Sequence, residues 1–345
     1  MIDTLLQRMG SWVSGEGPDS DVFLASVCRL ARNLSDLPFP ERSSDEELSA
    51  VEERVLSAIE TLDIQGQYYP FHKLDRTEIQ FLVERRVVSD SMLDASGARG
   101  VFLTQDGSIA FAINDGNHLT IRGFAAGNQL NEISARVAVF DDELAGGLDY
   151  AFTDRLGFLT PDLRDVGTGL HLGAILHLPS LEASGTLPEQ AQHAESRRHA
   201  FVPLIADGKK ALGDFFMVSN TSTLGRSEEE TLFHLKHIAL ELAESERRER
   251  SARLSEARLQ VEDRIWRALG VARNARLLAF AEGLRVLSSL RLGLANGLLD
   301  QLSYPDISDT FIASQDAHLS LKSGRSVDEL TLNASRADLF RSRFA

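Results

Sequence analysis

The stretch Gly100–Phe124 reads GVFLTQDGSIAFAINDGNHLTIRGF, and its punctuation decides the fold. Three apolar runs are separated by Asp106-Gly107 and Asp115-Gly116. Both dipeptides are strong turn formers, so the segment predicts an antiparallel meander. Downstream, NEISARVAVFDDELAGGLDYAF returns to helical spacing, and strands follow at GTGLHLGAILHL and KALGDFFMVSN. Between them, residues near 181–199 read as a polar, proline-containing loop.

Working outward, residues 1–95 read as short helices and loops joined to this region. The clearest helix there is SSDEELSAVEERVLSAIETL, with Ser44 as cap, Glu47 three residues on, and apolar residues at Leu48, Val51, Val55 and Ile59. Beyond Ser227, itself a cap with Glu230 three residues later, the chain is helical almost throughout. That run is too long for one ordinary helix. It predicts a helix against the sheet passing into the first helix of a bundle, ended by Gly270. The expected organisation is a segment 1–95, a central domain 96–250 and an all-α domain 251–345, with no repeat or low-complexity tract.

Composition narrows the function classes. The 345 residues include 51 acidic and 36 basic ones, a formal net charge of −15. Phosphate backbones attract a basic face, so nucleic acid is not the expected partner. No run of about 18 apolar residues is present, so no membrane span is expected. MIDTLLQRMGSWVSGEG lacks a basic start followed by an apolar block, which makes a cytoplasmic location the default. The single cysteine, Cys28, excludes an internal disulfide and any multi-cysteine metal site.

Several segments, in order, resemble the bacterial protein arginine kinases of the McsB type, relatives of creatine and arginine kinases. They are SDVFLASVCRLARNLSDLPFP, FLVERRVVSD, LDYAFTDRLGFLT with DVGTGLHLGAILHLPSL, VSNTSTLGRSEEE and LQVEDRIWRALGVARNARLL. The resemblance runs from about Ser11 to the C-terminus. It implies an α+β guanido kinase catalytic fold, a large antiparallel sheet flanked by helices, followed by an all-α C-terminal domain that mediates dimerisation. It also implies ATP and Mg²⁺ as cofactors, with arginines gathering the triphosphate and carboxylates orienting the guanidinium nucleophile.

At the positions that the resemblance marks, the chemistry is depleted. Where the family writes Asn-Glu-Glu-Asp-His-x-Arg, this chain has NDGNHLT: the proton-accepting glutamate falls on Gly116 and the closing phosphate arginine on Thr120, while Asn114 and His118 survive. Using Arg122 instead of Thr120 keeps the strand face but moves the charge by about 7 Å. Val27 occupies the first of two phosphate-binding arginines and Arg29 keeps the second. Arg86 replaces a nucleotide-contacting histidine, and Asp162 replaces the site cysteine, followed by Leu163, Arg164 and Asp165. His171 stands for another phosphate arginine, and Val202-Pro203 for the Arg-Gly pair of the nucleotide loop. A charge-assisted hydrogen bond contributes roughly 1.5–3 kcal/mol, so arginines lost at Val27, Thr120, His171 and Val202 forfeit on the order of 6–12 kcal/mol if additive. A micromolar ligand has about 8 kcal/mol of binding free energy. Tight binding of Mg·ATP in the ancestral pose is not expected.

A second family site, a phosphoarginine-binding Arg-Asp-x-x-Arg-Ala in the helical domain, falls on Leu332–Ala337, where only Arg336 and Ala337 are kept. The expected protein is therefore a catalytically inactive homologue with a regulatory or binding role near the Clp protein quality-control system. Its expected partners are a second copy through the helical domain, an intact arginine kinase or a Clp-system protein. Two alternatives stay open. One is an active phosphotransferase with relocated residues, Arg86, Arg164 or Arg122 for phosphate and Asp115 or Asp162 as base. The other is an anion or nucleotide binding module at residual basic groups such as Arg29, Arg86 and Arg164. His118, and the pair His171 and His177 without a third ligand, read as structural, and no metal site is expected. Cys28 reads as packing.

Overall fold

The computed structural model describes residues 2–6, 16–208, 210–324 and 327–345. Ser11, where the resemblance begins, lies outside the described residues.

Eight strands form one antiparallel sheet: β1 (Phe23–Arg32), β2 (Gly66–Pro70), β3 (Gly100–Thr104), β4 (Ile109–Asp115), β5 (Asn117–Ala126), β6 (Leu170–His177), β7 (His199–Pro203) and β8 (Phe215–Asn220). Their spatial order is β2-β3-β4-β5-β1-β6-β8-β7. The meander expected at Gly100–Phe124 is β3-β4-β5, turning at the two Asp-Gly dipeptides. The first 95 residues are not only helix and loop, because β1 lies in the middle of the sheet and β2 at its edge. Strand β1 hides its nature by lacking alternation. It is covered on both faces yet carries Ser26, Arg29 and Arg32 among its apolar residues.

Beyond a short turn of helix at Asp3–Leu6, the α-helices of the described residues are α1 (Asp45–Glu60), α2 (Arg76–Glu84), α3 (Leu130–Ala145), α4 (Pro179–Ser184), α5 (Leu187–Ser196), α6 (Glu228–Glu256), α7 (Arg258–Asn274), α8 (Phe280–Ala295), α9 (Tyr304–Ala313), α10 (Asp316–Ser323) and α11 (Glu329–Phe344). Ser44 and Ser227 cap α1 and α6 in full capping boxes with Glu47 and Glu230. Two expectations are corrected. The loop near 181–199 is largely α4 and α5, with Pro179 and Pro188 in their first turns, where a missing N–H costs nothing. Gly270 lies inside α7 rather than ending it. A Cβ there would meet nothing within 4 Å, so the glycine occupies an open surface position. The long helical run breaks instead at Ala257.

One sheet face packs on α1, α3 and α6, joining Phe111, Ile121 and Leu172 to Val51, Val137 and Leu242. The other face is covered partly by α2 and the C-terminal helices. Most of the apolar residues of α7 and α8, such as Ile265, Leu269, Leu284, Leu287 and Leu290, are consumed in that core. Trp266 and Leu277 remain half-exposed. A buried polar joint ties sheet to helices. His177 Nε2 lies 3.0 Å from Ser288 Oγ, Ser288 donates to Asp214, and Arg264 pairs with Asp214 at 2.6 Å. Burial, reinforced by Arg291, Arg264 and Arg250, holds the His177 pKa well below its usual value. Among the described residues no helix is long and apolar enough to cross a membrane.

Candidate functional site

The part of the second face left open by α2 and the C-terminal helices is where the sequence-marked residues converge. Arg29 on β1 stands directly opposite Arg122 on β5 and opposite His171 on β6. Residues opposite one another in a ladder share a face, so Arg122, Arg29 and His171 form one row across three strands. The neighbouring row, two residues along each strand, is Phe124, Val27, Gly173 and Ser219. Together they line a cavity of about 270 Å³. Its floor is Val27, Phe124, Ile175 and Met217, and its basic rim is Arg29, Arg86, Arg122 and His171.

Each rim group has a specific setting. Arg29 makes a two-pronged contact with Asp165, Nη1 to Oδ2 at 3.0 Å and Nη2 to Oδ1 at 2.6 Å. His171 Nε2 lies 2.7 Å from the same Oδ1, off the axis of a regular hydrogen bond. Burial pushes the Asp165 carboxyl up, but His171 and the Arg29 guanidinium outweigh it and hold it below the usual carboxylate range. Arg122 Nη2 pairs with Asp115 at 2.9 Å, and Asp115 also accepts the Ser89 N–H and hydroxyl. Arg122 Nε is buried without a hydrogen-bond partner. Arg86 donates to the Leu204 carbonyl at 2.8 Å and, among the described residues, contacts no carboxylate. Asp90 is the opposite charge that it feels through space.

Arg86 also stands in an unusual backbone position. It follows the last turn of α2 with φ +62°, the left-handed conformation that usually falls to glycine at a helix end. For a residue with a Cβ this costs roughly 1–2 kcal/mol, so the side chain is kept against a conformational penalty.

The surviving motif residues hold the backbone. Asn114 donates its side-chain amide to the carbonyls of Leu48 and Ala98 at 3.0 and 2.7 Å. His118 Nδ1 accepts from the Leu34 N–H at 2.9 Å, which leaves Nε2 to donate to the Pro38 carbonyl at 2.8 Å. That fixes a neutral tautomer, and burial lowers its pKa further. Gly116 forms the turn between β4 and β5 with φ +71°, and no atom lies within 4 Å of where its Cβ would be. The space for a glutamate side chain remains without the carboxylate. Thr120 is buried opposite Ala31 and Ala112.

Other expected site residues lie apart. Asp162 is at the surface and bound to Arg164, Nη2 to Oδ2 at 2.6 Å, an interaction that lowers its pKa. Neither lines the cavity. Val202 is on the edge strand β7 opposite Met217, half-exposed and outside the cavity lining. Cys28 is buried in the packing of the opposite face, where burial pushes its thiol pKa up. Arg336 is buried and donates to the Ser314 and Leu278 carbonyls, Asn333 Oδ1 and Asp316, with Ala337 buried beside it. A larger cleft of about 540 Å³ shares Arg86 and Arg122 with the cavity and reaches Phe280 and Asp316.

Two roles escaped the sequence reading. Asp165 acts as an internal counter-anion for Arg29, and Ser89 helps to hold Asp115. Pairing β5 with β1 in register would also have placed Arg122 opposite Arg29.

The family described as ATP:guanido phosphotransferase, C-terminal catalytic domain, matches residues 50–249. The family described as protein-arginine kinase McsB C-terminal domain matches residues 258–345. The protein-arginine kinase of Symbiobacterium thermophilum is 34% identical over 343 residues, covering 97% of this chain and 96% of that protein. The protein-arginine kinase of Syntrophomonas wolfei is 33% identical, covering 96% and 94%. The chain belongs to the protein-arginine kinase family. The resemblance read from the sequence is thus correct, and so is the fold class. Among solved structures, the substrate-free duplicated taurocyamine kinase from Schistosoma mansoni superposes with a TM-score of 0.59 at 22% identity. That match covers 69% of this chain and spans only 35% of the duplicated enzyme. A lombricine kinase gives 0.58 at 19% identity, covering 68% of each chain. These distant likenesses bear on the fold alone.

Proposed function

We propose that this member of the protein-arginine kinase family is catalytically inactive and acts as a binding or regulatory subunit, near the Clp protein quality-control system that the family resemblance implies. One observation carries the reading. Arg29, the retained phosphate-binding arginine, already holds a carboxylate in a two-pronged contact with Asp165. An incoming phosphate must displace that anion, and Val27 and Thr120 stand where the resemblance implies two further arginines. The relocated bases are committed too: Asp115 to Arg122 and Ser89, Asp162 to Arg164. These residues do not fit a magnesium-bound triphosphate.

The test is thermal. Millimolar Mg·ATP is expected to leave the melting temperature unchanged. A ligand at about 100 times its dissociation constant would stabilise the fold by about 2.7 kcal/mol, a readily visible shift. A clear shift, abolished by Arg29→Ala, would overturn the nucleotide-free reading of the site.

The helical domain is proposed to pair with a second copy, an intact arginine kinase or a Clp-system protein. Supporting this, Leu259, Trp266 and Leu277 are exposed at 81%, 50% and 54% along and just beyond α7. Light scattering is expected to give a dimer near twice 38.0 kDa. A monomer at tens of micromolar would remove the homodimer.

A further inference from the structure

We propose that the cavity on the sheet face binds a small organic monoanion, an aryl or alkyl carboxylate with an apolar body, in place of a nucleotide. The assignment rests on the inactive reading of the same site and goes beyond it by naming the ligand class.

Charge, size and floor point the same way. The rim holds three guanidinium groups, Arg29, Arg86 and Arg122, against two carboxylates in contact with them, Asp165 and Asp115. Arg86 alone of the three has no carboxylate in contact, Asp90 acting on it only through space, so the rim has one guanidinium open to an anionic head, which suits a monoanion and not a triphosphate. The volume of about 270 Å³ lies just under the range of about 300–1,000 Å³ that accommodates drug-sized ligands. The floor of Val27, Phe124, Ile175 and Met217 is apolar, with the Ser219 hydroxyl as the one oxygen-bearing side chain of the lining.

The free donors are at one end. Among the described residues Arg86 spends one hydrogen bond, on the Leu204 carbonyl, and the buried Arg122 Nε has no partner. A guanidinium presents two parallel N–H groups to a carboxylate, so the anionic head sits at Arg86 and Arg122. The apolar body then lies over Val27 and Phe124. The left-handed backbone of Arg86, where glycine is the usual occupant, carries this charged side chain at a conformational cost.

Calorimetry and saturation-transfer NMR on the full chain would test this with phenylacetate, phenylacetamide, inorganic phosphate and Mg·ATP. Phenylacetate is expected to bind, and its uncharged amide about ten-fold or more weakly, the loss of one charge-assisted contact. Arg86→Gly suits the local backbone and should erase that preference while the melting curve stays cooperative. Val27→Phe, which fills the floor, should abolish binding and serves as a second variant should Arg86→Gly fail to fold. Equal binding of acid and amide, or none of either at millimolar concentration, overturns the assignment. If Mg·ATP is also silent, that failure leaves the inactive reading standing. Displacement of phenylacetate by Mg·ATP would overturn both.

Discussion

Given Mg·ATP and an unfolded, arginine-rich protein, the full chain will form no phosphoarginine above background. The reaction needs a carboxylate to orient the guanidinium and take its proton, and Gly116 supplies none. A positioned general base contributes typically about 10²–10⁴-fold. Each preorganised donor lost from a charge-stabilising site costs about another 10²–10³-fold, and Val27, Thr120 and His171 replace three of the donors that the resemblance implies. These factors do not multiply freely, yet any two of them exceed what a residual rate could hide. Arg122 does not restore the set, because its guanidinium is bound to Asp115. The measurement is mass spectrometry under conditions that preserve the acid-labile phosphoramidate. Time-dependent phosphoarginine that disappears in Asp115→Asn or Asp162→Asn would sink the inactive reading and favour a relocated catalytic set.

How much of this was legible depends on the distance between partners. The meander was readable because Asp106-Gly107 and Asp115-Gly116 act locally, through turn geometry that neighbouring residues determine. The caps at Ser44 and Ser227 were readable for the same reason. Strand β1 was not, since a strand covered on both faces loses the alternation that marks a half-buried one. The departures from the family motifs that the resemblance marks are readable position by position, but not what fills those places. Asp165 sits 136 residues from Arg29, and no pattern along the chain announces that a carboxylate pairs with that arginine. Arg122 lies two residues beyond Thr120 on the same strand face, and only the register of β5 on β1 reveals that it faces Arg29. The apolar wealth of α7 and α8 suggested an interface, but burial within the chain accounts for most of it.

Arg336→Met is expected to destabilise the chain by about 3–5 kcal/mol, the cost of breaking a buried charged network by removing one partner. Arg336 is 1% exposed, and its N–H groups tie its own helix, α11, to three others. They reach the Ser314 carbonyl after α9, the Leu278 carbonyl before α8, Asn333 on α11 and Asp316 at the start of α10. Methionine keeps much of the volume, so the effect isolates the hydrogen bonds. Two buried carbonyls left unsatisfied cost about 1–3 kcal/mol each. Asp316→Asn should behave differently, because the Asp316 side chain is 62% exposed and water can replace its contact. Its cost should stay within about 1 kcal/mol, as for other exposed ion pairs. Urea unfolding of both variants separates two roles for the retained Arg-Ala pair. A large loss for Arg336→Met with a small one for Asp316→Asn means that the arginine is a structural hub, kept because the helices are assembled on it. A loss below 1 kcal/mol for Arg336→Met would mean that the helices do not depend on those bonds, and that the arginine remains free to meet an anion.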